Sequence, residues 1–274
     1  MTGFRKLLLA TDRSDFSAGA ERVAITLAQR CGAQLLAMSM VISNAELEAV
    51  APQRMLQDES DARAYLDALS SRAGAAGVQC EGLICHGQEP HREILAAAAA
   101  MQPDLIVTGR RGRRGLARLM VGDATARVVG SAPCHVLVVP RAAQMWSARI
   151  VLATDGSRFS DAATAVAAEI AARCALPVTV VSVVRDSFGE ERAKQAGVAI
   201  AKALAQLAAA GAHADAEEAH GQSDERIVAI AAERGADLIV LGSHGRTGWQ
   251  RVMLGSVTER VIGAATCAVL VARI

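Results

Sequence analysis

A glycine-rich segment near the C-terminal end of the chain contains the residues best suited to binding an anion. It reads Gly242-x2-Gly245-x9-Gly255-Ser256 and follows the apolar run Leu238–Leu241, which is short and uniform enough to be a strand buried on both faces. Glycines allow backbone N–H groups to approach a ligand closely. The order of strand, glycine loop and helix therefore predicts a phosphate-binding loop.

The helix that follows this loop should add further donors for an anion. Ser256 is predicted to be its N-cap, with Glu259 three residues later as the capping-box partner. The N-terminus of a helix offers unpaired N–H groups and a partial positive charge. Arg246 and Arg251 could add full charges, and His244 lies in the same segment. For His244 and Arg246 the alternative is a solvated surface loop.

The chain consists of two similar halves. Leu7–Val41 aligns with Ile150–Val184 without a gap, which places Asp12 on Asp155. Further along, PDLIVTGRRGRRG aligns with ADLIVLGSHGRTG. The repeat indicates a tandem duplication of a domain of about 140 residues. The sequence therefore predicts two domains of the same fold.

Each half alternates short apolar runs with helical patterns, which predicts an α/β fold with helices on both faces of a five-stranded parallel sheet. We predict domains at residues 1–141 and 147–274, with the linker in Pro140–Arg149. The predicted strands are Leu7–Ala10, Gln34–Met40, Val78–Leu83, Leu105–Thr108 and Val136–Val139 in the first half, and Ile150–Ala153, Val178–Val183, His213–Ala219, Leu238–Leu241 and Ala268–Val271 in the second. The helices predicted in the first half are Ser17–Cys31, Asp58–Gly74, Pro90–Met101 and Asp123–Gly130, with a surface loop or short helix around Asn44–Leu56.

The last strand of each half would be an apolar edge in need of a partner. These strands are Val136–Val139 and Ala268–Val271. The simplest partner for each is the same strand of the other half. The two halves are therefore predicted to pair about a pseudo-twofold axis within one chain.

The glycine spacing resembles the signature G-x2-G-x9-G-[S/T] of the ATP-binding universal stress proteins. It differs from the two commoner phosphate loops, because neither G-x4-G-K-[S/T] nor G-x-G-x-x-G describes it. The resemblance covers both halves of the chain. It implies two tandem Rossmann-like (adenine nucleotide alpha hydrolase-like) domains that pair through their last strands, and it implies ATP, with Mg²⁺, as the bound cofactor.

The resemblance also implies a set of ligand-binding residues in the second half. Asp155, at the end of the first strand, matches an aspartate that contacts the adenine–ribose part of ATP; the alternative is an aspartate that caps the following helix. Val184 ends the strand whose backbone would contact adenine. The remaining positions match the phosphate loop or lie within or beside it: Gly242, His244, Gly245, Arg246, Gly255, Ser256, Val257 and Thr258.

The first half departs from this signature at one position. Gly109, Gly112 and Gly122 keep their spacing and Asp12 is present, but Asp123 stands where the second half has Ser256. A carboxylate there would still cap the helix but would repel a triphosphate. The loop itself contains four arginines within five positions: Arg110, Arg111, Arg113 and Arg114. They could restore an anion site, bind Asp123 or form a solvated basic patch, and we expect weak ATP binding or none.

Composition narrows the class of protein. The 274 residues have a net charge of +1, which gives no general electrostatic case for nucleic acid or anionic membrane. No apolar run reaches the roughly 18 residues of a membrane span, and the N-terminal apolar stretch is too short for a signal peptide. Six cysteines without a CxxC motif fit reduced thiols in a cytoplasmic protein, and no metal-ligand motif is evident.

Three functions follow as hypotheses. The first is an ATP-binding, non-enzymatic regulator of a stress response, whose nucleotide state sets a surface for an unidentified protein partner. The second is a weak ATPase, which would need a general base or metal carboxylates aimed at the γ-phosphate. The third is an interaction module without a ligand. The first is favoured because the second half has the intact signature, and a homodimer is a further possible assembly.

Overall fold

The computed structural model describes residues 3–44, 49–110, 121–184, 189–245 and 254–274. The strands are β1 (Lys6–Thr11), β2 (Gln34–Ile42), β3 (Cys80–Gly87), β4 (Leu105–Gly109), β5 (His135–Val139), β6 (Ile150–Ala153), β7 (Val178–Val184), β8 (Ala214–His220), β9 (Leu238–Gly242) and β10 (Ala268–Ala272). The helices are α1 (Ala18–Cys31), α2 (Pro52–Ala75), α3 (Pro90–Met101), α4 (Asp123–Ser131), α5 (Arg158–Cys174), α6 (Gly189–Ala209), α7 (Ser223–Glu233) and α8 (Ser256–Ala264).

All ten strands form one continuous sheet in the order β3-β2-β1-β4-β5-β10-β9-β6-β7-β8. Within each half the five strands are parallel, as the alternation of strands and helices predicted. The two halves meet where β5 pairs with β10, and this pair is antiparallel. The predicted pairing of the two last strands is therefore confirmed.

The register of the central pair is symmetric. Leu137 lies opposite Leu270, its own counterpart in the duplication, and Val138 lies opposite Val269. A self-complementary register is what a twofold interface requires, since each contact must recur with the partners exchanged. The pseudo-twofold axis therefore passes through the Leu137–Leu270 pair, and neither last strand is left as an open edge.

Helices cover both faces of the sheet and create two apolar layers. One layer contains alternate strand residues such as Leu7 and Leu9 with the inner faces of α1, α2, α5 and α6. The other contains the intervening residues such as Leu8 with the inner faces of α3, α4, α7 and α8. Side chains of successive strand residues point to opposite faces, so a strand buried on both sides reads as a continuous apolar run. Both layers extend across the two halves.

The segment between β5 and β6 packs tightly against α1. The Arg22 guanidinium donates to the carbonyl oxygens of Arg141 (2.7 Å) and Ala143 (3.3 Å). Trp146 is fully buried in the same layer as α1. Gly19, in the first turn of α1, lies so close to this segment that a Cβ atom would overlap the Pro140 carbonyl oxygen. The connection between the halves is thus an ordered part of the core.

Two elements differ from the sequence prediction by more than two residues at one end. Helix α2 begins at Pro52, six residues earlier than predicted, because proline fits the first turn of a helix, where its missing N–H is not needed. Strand β3 spans Cys80–Gly87, whereas Val78–Leu83 was predicted. Among the strands of the described ranges it pairs with β2 at the edge of the sheet, and its mixed exposure gives a weaker apolar signal. None of the described helices combines the length and apolar character needed to cross a bilayer.

Burial of His135 beside the domain interface makes the stability of the fold depend on pH. Its Nδ1 accepts the Arg273 backbone N–H (3.1 Å), and burial lowers its pKa below the usual 6.5, against the opposing charges of Asp104 and Glu169. The unfolded chain therefore binds a proton more readily than the folded chain. The stabilising effect of the neutral ring is complete above the unfolded pKa and decreases as the pH falls.

We expect the wild type to lose more unfolding free energy than His135→Asn between pH 7.5 and pH 5.5, because asparagine cannot take up the proton. Urea unfolding of both proteins at the two pH values measures the difference. Equal losses in the two proteins would show that His135 does not contribute to the acid sensitivity.

Candidate functional site

The predicted site residues of the second half lie at the carboxyl ends of three neighbouring strands. Strand β6 lies between β9 and β7 in the sheet. The chain passes from β6 to β7 on one side, whereas β9 joins β6 from the other side, so the strand order reverses between β6 and β9. Open α/β sheets bind ligands at such a reversal, beyond the carboxyl ends of the strands. The topology therefore brings the predicted residues to the expected edge.

Asp155 lies in the turn between β6 and α5. Its Oδ1 accepts the Ser157 backbone N–H (3.0 Å), and the N-cap of α5 is Ser157, whose hydroxyl accepts the Ser160 N–H (3.2 Å). The alternative interpretation, in which Asp155 itself caps the helix, is therefore wrong. The carboxylate instead lies against Gly245, because a Cβ atom on that glycine would be 3.0 Å from Asp155 Oδ2. The turn and the glycine loop thus meet directly.

Gly242 ends β9 at a point where a neighbouring helix leaves no room for a side chain. A Cβ atom there would lie 2.7 Å from the carbonyl carbon of Phe159 in α5. Its carbonyl oxygen accepts the buried Thr258 hydroxyl (2.9 Å), which fixes the start of α8 to the end of the strand. Gly242 and Thr258 therefore set the distance between the strand and the helix.

Gly255, and not Ser256, is the N-cap of α8. Its N–H donates to the Ser243 carbonyl (3.1 Å), and a Cβ atom at this position would lie 3.0 Å from the same oxygen and 3.3 Å from His244 Cα. The prediction of Ser256 as N-cap is therefore wrong, and the tight contacts disfavour a side chain at the cap position. Ser256 occupies the first helical position and its side chain is exposed.

The first turn of α8 presents backbone donors. The first intrahelical bond runs from the Glu259 N–H to the Gly255 carbonyl (2.9 Å), so Ser256, Val257 and Thr258 have no intrahelical acceptor. No side chain makes a cap hydrogen bond at this helix start in the part of the chain that the structure describes. Three consecutive N–H groups beside an exposed hydroxyl can bind an anionic oxygen.

His244 is packed into the protein. The residue is only 9% exposed. Its Nδ1 atom is 3.0 Å from the Ser243 hydroxyl, and the centroid of its ring is 5.1 Å from that of the Phe159 ring. Of the two alternatives for His244, the solvated surface loop is therefore wrong. Arg246 and Arg251 lie outside the described residues, and so does Gly112 in the first half.

Val184 ends β7, the strand beyond β6. The residue is buried, and its carbonyl oxygen accepts the N–H of Gly221 (3.1 Å), which directly follows the edge strand β8. Its position at the same sheet edge as Asp155 agrees with the topology that the sequence predicted. One lone pair of the carbonyl is thus already used by the fold.

The first half repeats the backbone geometry of this site. The N-cap of α4 is Gly122, with φ −63° and ψ 140°, close to the −62° and 135° of Gly255. Thr125 donates to the Gly109 carbonyl (3.1 Å) as Thr258 does to Gly242, and the Gly122 N–H donates to the Arg110 carbonyl (3.0 Å). The backbone framework is therefore present in both halves, and the differences lie in the side chains.

Asp123 is the first of these differences. It occupies the first position of α4 and makes no cap hydrogen bond, so the prediction that it caps the helix is wrong. Its side chain is 79% exposed and pairs with Arg127 one turn later (3.1 Å). The Arg110 guanidinium donates to carbonyl oxygens of the other half, at Gly263 (3.0 Å) and Ala265 (2.7 Å). Arg111, Arg113 and Arg114 lie outside the described residues, so the roles proposed for the loop arginines stay predictions.

A second difference was missed by the sequence analysis. Arg13 stands where the second half has Gly156, and both adopt a left-handed conformation, with φ of 64° and 75°. The Arg13 side chain is 8% exposed and donates to the Asp58 carboxylate (2.8 Å) and to the Asp58 carbonyl (3.0 Å) in α2. The feature that marks Arg13 in the structure is its positive φ, which is unusual for a residue other than glycine. A sequence does not show φ, so this feature could not be used to find Arg13.

Asp12 differs from Asp155 in its local partners. Its Oδ1 accepts the Ser14 hydroxyl (2.6 Å), the Ser14 N–H (3.1 Å) and the Ser17 hydroxyl (2.7 Å). In the second half the hydroxyl equivalent to that of Ser17 belongs to Ser160 and donates to the Ser157 carbonyl (2.8 Å) instead. One oxygen of Asp12 is therefore surrounded by donors from its own turn.

Metal-ligating side chains do not cluster in the described ranges, where no group of three or more histidine, cysteine, aspartate or glutamate residues has a geometry suited to a metal ion. The thiols of Cys134 and Cys267, at equivalent positions before β5 and β10, have pKa values raised to about 11, mainly by burial. Their side chains pack against the second apolar layer.

Known proteins resemble this chain in both sequence and fold. The model of the universal stress protein family matches residues 3–140 and again residues 147–273. The universal stress protein Sll1388 of Synechocystis sp. is 28% identical over 152 residues, which are 50% of this chain and 98% of that protein. The universal stress protein YxiE of Bacillus subtilis is 31% identical over 147 residues, which are 50% of this chain and 99% of that protein.

A solved structure shows the same two-part architecture. The universal stress protein from Archaeoglobus fulgidus DSM 4304 superimposes with a TM-score of 0.79 over 98% of this chain and 98% of its own, at 20% sequence identity. That likeness concerns the fold, and the family match covers both halves. The chain therefore belongs to the universal stress protein family and carries two copies of its domain in tandem.

Proposed function

We propose that the second half of the chain binds one ATP molecule, with Mg²⁺, at the carboxyl ends of β6, β7 and β9. Asp155 would contact the adenine–ribose part and the backbone at Val184 the adenine. Gly242, Gly245 and Gly255 would bring main-chain N–H groups to the phosphates. Ser256, Val257 and Thr258 would donate to them from the first turn of α8, with Arg246 nearby in the chain.

One observation carries this proposal. The first turn of α8 offers three backbone N–H groups without intrahelical acceptors, beside an exposed Ser256 hydroxyl, and the Asp155 carboxylate lies across the loop against Gly245. A side chain on Gly245 would crowd that carboxylate, and one on Gly255 would crowd the Ser243 carbonyl. The residues present therefore fit a phosphate chain held by main-chain donors with a polar group at its far end.

We further propose that the first half does not bind ATP at a comparable affinity. Asp123 places an exposed carboxylate at the start of α4, where Ser256 has a hydroxyl. The Arg13–Asp58 ion pair fastens the turn after β1 to α2, whereas Gly156 leaves the equivalent turn without such a side chain. The first domain, predicted at residues 1–141, would then serve the fold and the interface with the second, at 147–274.

In this proposal the protein is a regulator that responds to nucleotide in the cytoplasm. All six cysteines are free thiols, which is typical of proteins in a reducing compartment. Bound ATP would set a surface for a protein partner at the carboxyl ends of β6, β7 and β9. That role does not require ATP hydrolysis, and at most slow hydrolysis would accompany it.

Isothermal titration of nucleotide-free protein with Mg-ATP tests the proposal. We expect one site per chain, and we expect Asp155→Ala to weaken binding at that site because the ribose contact is lost. A matched variant, Asp12→Ala, alters the equivalent carboxylate of the first half and should leave the stoichiometry and affinity unchanged. Absence of binding by the wild type, or two equal sites, would refute the proposal.

A further inference from the structure

Arg110 joins the two halves at the far end of the proposed phosphate-binding helix. Its Nη1 donates to the carbonyl oxygens of Gly263 (3.0 Å) and Ala265 (2.7 Å), at the C-terminal end of α8. The last carbonyls of a helix lack intrahelical donors and carry a partial negative charge, so a guanidinium is a favourable partner there. Hydrogen bonds from a charged donor are stronger than neutral ones. We name this contact the Arg110 clamp.

The backbone of Arg110 is fixed by the first half. Its N–H donates to the Val139 carbonyl (3.2 Å) at the end of β5, and its carbonyl accepts the Gly122 N–H (3.0 Å) at the start of α4. A single residue therefore connects the glycine loop of the first half to the C-terminal end of α8. A shift of Arg110 would be transmitted to α8 through two charge-assisted hydrogen bonds.

Helix α8 is short enough for its two ends to move together. It has nine residues, its N-terminal end carries the Ser256, Val257 and Thr258 amides, and its C-terminal end is the one held by Arg110. Nine residues span about 14 Å. Thr258 and Gly255 hold the N-terminal end of the helix within the second half, so loss of the clamp at the other end would loosen the position of the donors without removing it.

We propose that Arg110 is a positioning residue for the nucleotide site of the second half. It holds the C-terminal end of α8 from the first half, so pairing of the two halves contributes to the position of the phosphate donors. This inference rests on the proposed function and adds a role for the half that lacks an intact signature. The first half would then act on the nucleotide site without binding nucleotide itself.

A reciprocal contact supplies a matched control. Arg273, just after β10, donates to the Gly130 carbonyl (3.0 Å) at the C-terminal end of α4, with a longer approach to the Val129 carbonyl (3.5 Å). The two arginines are not copies of one another, since Arg110 aligns with Ser243 and Arg273 aligns with Pro140. Substitution of Arg273 therefore breaks the same kind of contact across the same interface, but at the helix that carries Asp123.

The first experiment compares Mg-ATP and adenosine binding by Arg110→Gln, Arg110→Lys and Arg273→Gln. We expect Arg110→Gln to weaken ATP binding about tenfold, which is a typical coupling between sites, and to leave adenosine binding unchanged. Arg110→Lys should recover part of the loss because it keeps the charge. Arg273→Gln should stay within about twofold of the wild type. Equal weakening by Arg110→Gln and Arg273→Gln would overturn the inference, because it would reflect general destabilisation.

The second experiment requires no nucleotide. We expect amide hydrogen exchange throughout α8, including the Glu259 N–H, to be about tenfold faster in Arg110→Gln, whereas Arg273→Gln should accelerate exchange in α4. Unchanged exchange in α8 of Arg110→Gln would overturn the inference. If the wild type bound no ATP, the proposed function would fail, and the exchange rates would still decide whether Arg110 holds α8.

Discussion

Ser256→Asp is expected to abolish most of the ATP affinity of the second half while leaving the fold intact. The substitution recreates the residue that the first half has at Asp123, on a helix start of nearly identical backbone geometry. At an effective dielectric of about 20, two like charges about 4 Å apart repel by about 4 kcal/mol, and solvent screening reduces this figure. We therefore expect a loss of affinity of about tenfold to a hundredfold, measured by titration calorimetry.

Stability should change in the opposite direction. A carboxylate in the first turn of a helix interacts favourably with the helix dipole, by about 0.3–1 kcal/mol at an exposed position. Ser256→Asp should thus unfold at the same or a slightly higher urea concentration than the wild type. Ser256→Ala is the matched control, since it removes only the hydroxyl and should cost less affinity. Equal ATP affinity in the wild type and Ser256→Asp would contradict the proposed phosphate position.

Gly19→Ala is expected to destabilise the protein, although alanine is normally the better helix former. Gly19 lies in the first turn of α1, and an added Cβ atom would overlap the Pro140 carbonyl oxygen and lie 2.9 Å from that of Arg141. Both atoms belong to the backbone of the segment that joins the two halves, which is anchored by the buried Trp146. Overpacking of this kind costs about 1–3 kcal/mol, and chemical denaturation measures it.

Gly197→Ala provides the control for this stability change. Gly197 lies on the exposed side of α6, where an added Cβ atom would have no neighbour within 4 Å. The same chemical change should stabilise the protein there by about 0.5–1 kcal/mol, because glycine is a poor helix former. Opposite signs at the two positions would demonstrate the close packing of the connecting segment against α1. Stabilisation by both substitutions would show that the segment moves away without cost.

Much of the fold could be predicted because the duplication and the apolar runs are local signals. The strand ends that carry Asp155 and Gly242 follow from buried runs, and the pairing of β5 with β10 follows from an apolar last strand that needs a partner. The prediction places the N-cap of α8 one residue too late because cap preferences favour serine, whereas the close contact with the Ser243 carbonyl favours glycine at position 255.

Contacts between distant residues explain what the sequence could not reveal about the site. Arg110 lies in a run of arginines near a glycine loop, yet its guanidinium binds carbonyls more than 150 positions away, at Gly263 and Ala265. Arg13 reaches Asp58 across 45 positions. Neither contact has an equivalent at the aligned position of the other half, where Ser243 and Gly156 stand. Such pairs depend on tertiary packing and leave no periodic pattern in the chain.

The most direct test of the central claim is the response of individual backbone amides to Mg-ATP, measured by NMR on ¹⁵N-labelled protein. We predict large chemical-shift changes for the Ser256, Val257 and Thr258 amides at one equivalent of nucleotide, with no comparable change for the amides of Asp123 and Thr125. Unchanged amides at the start of α8, or equal changes at the start of α4, would contradict the assignment of the phosphate site to the second half.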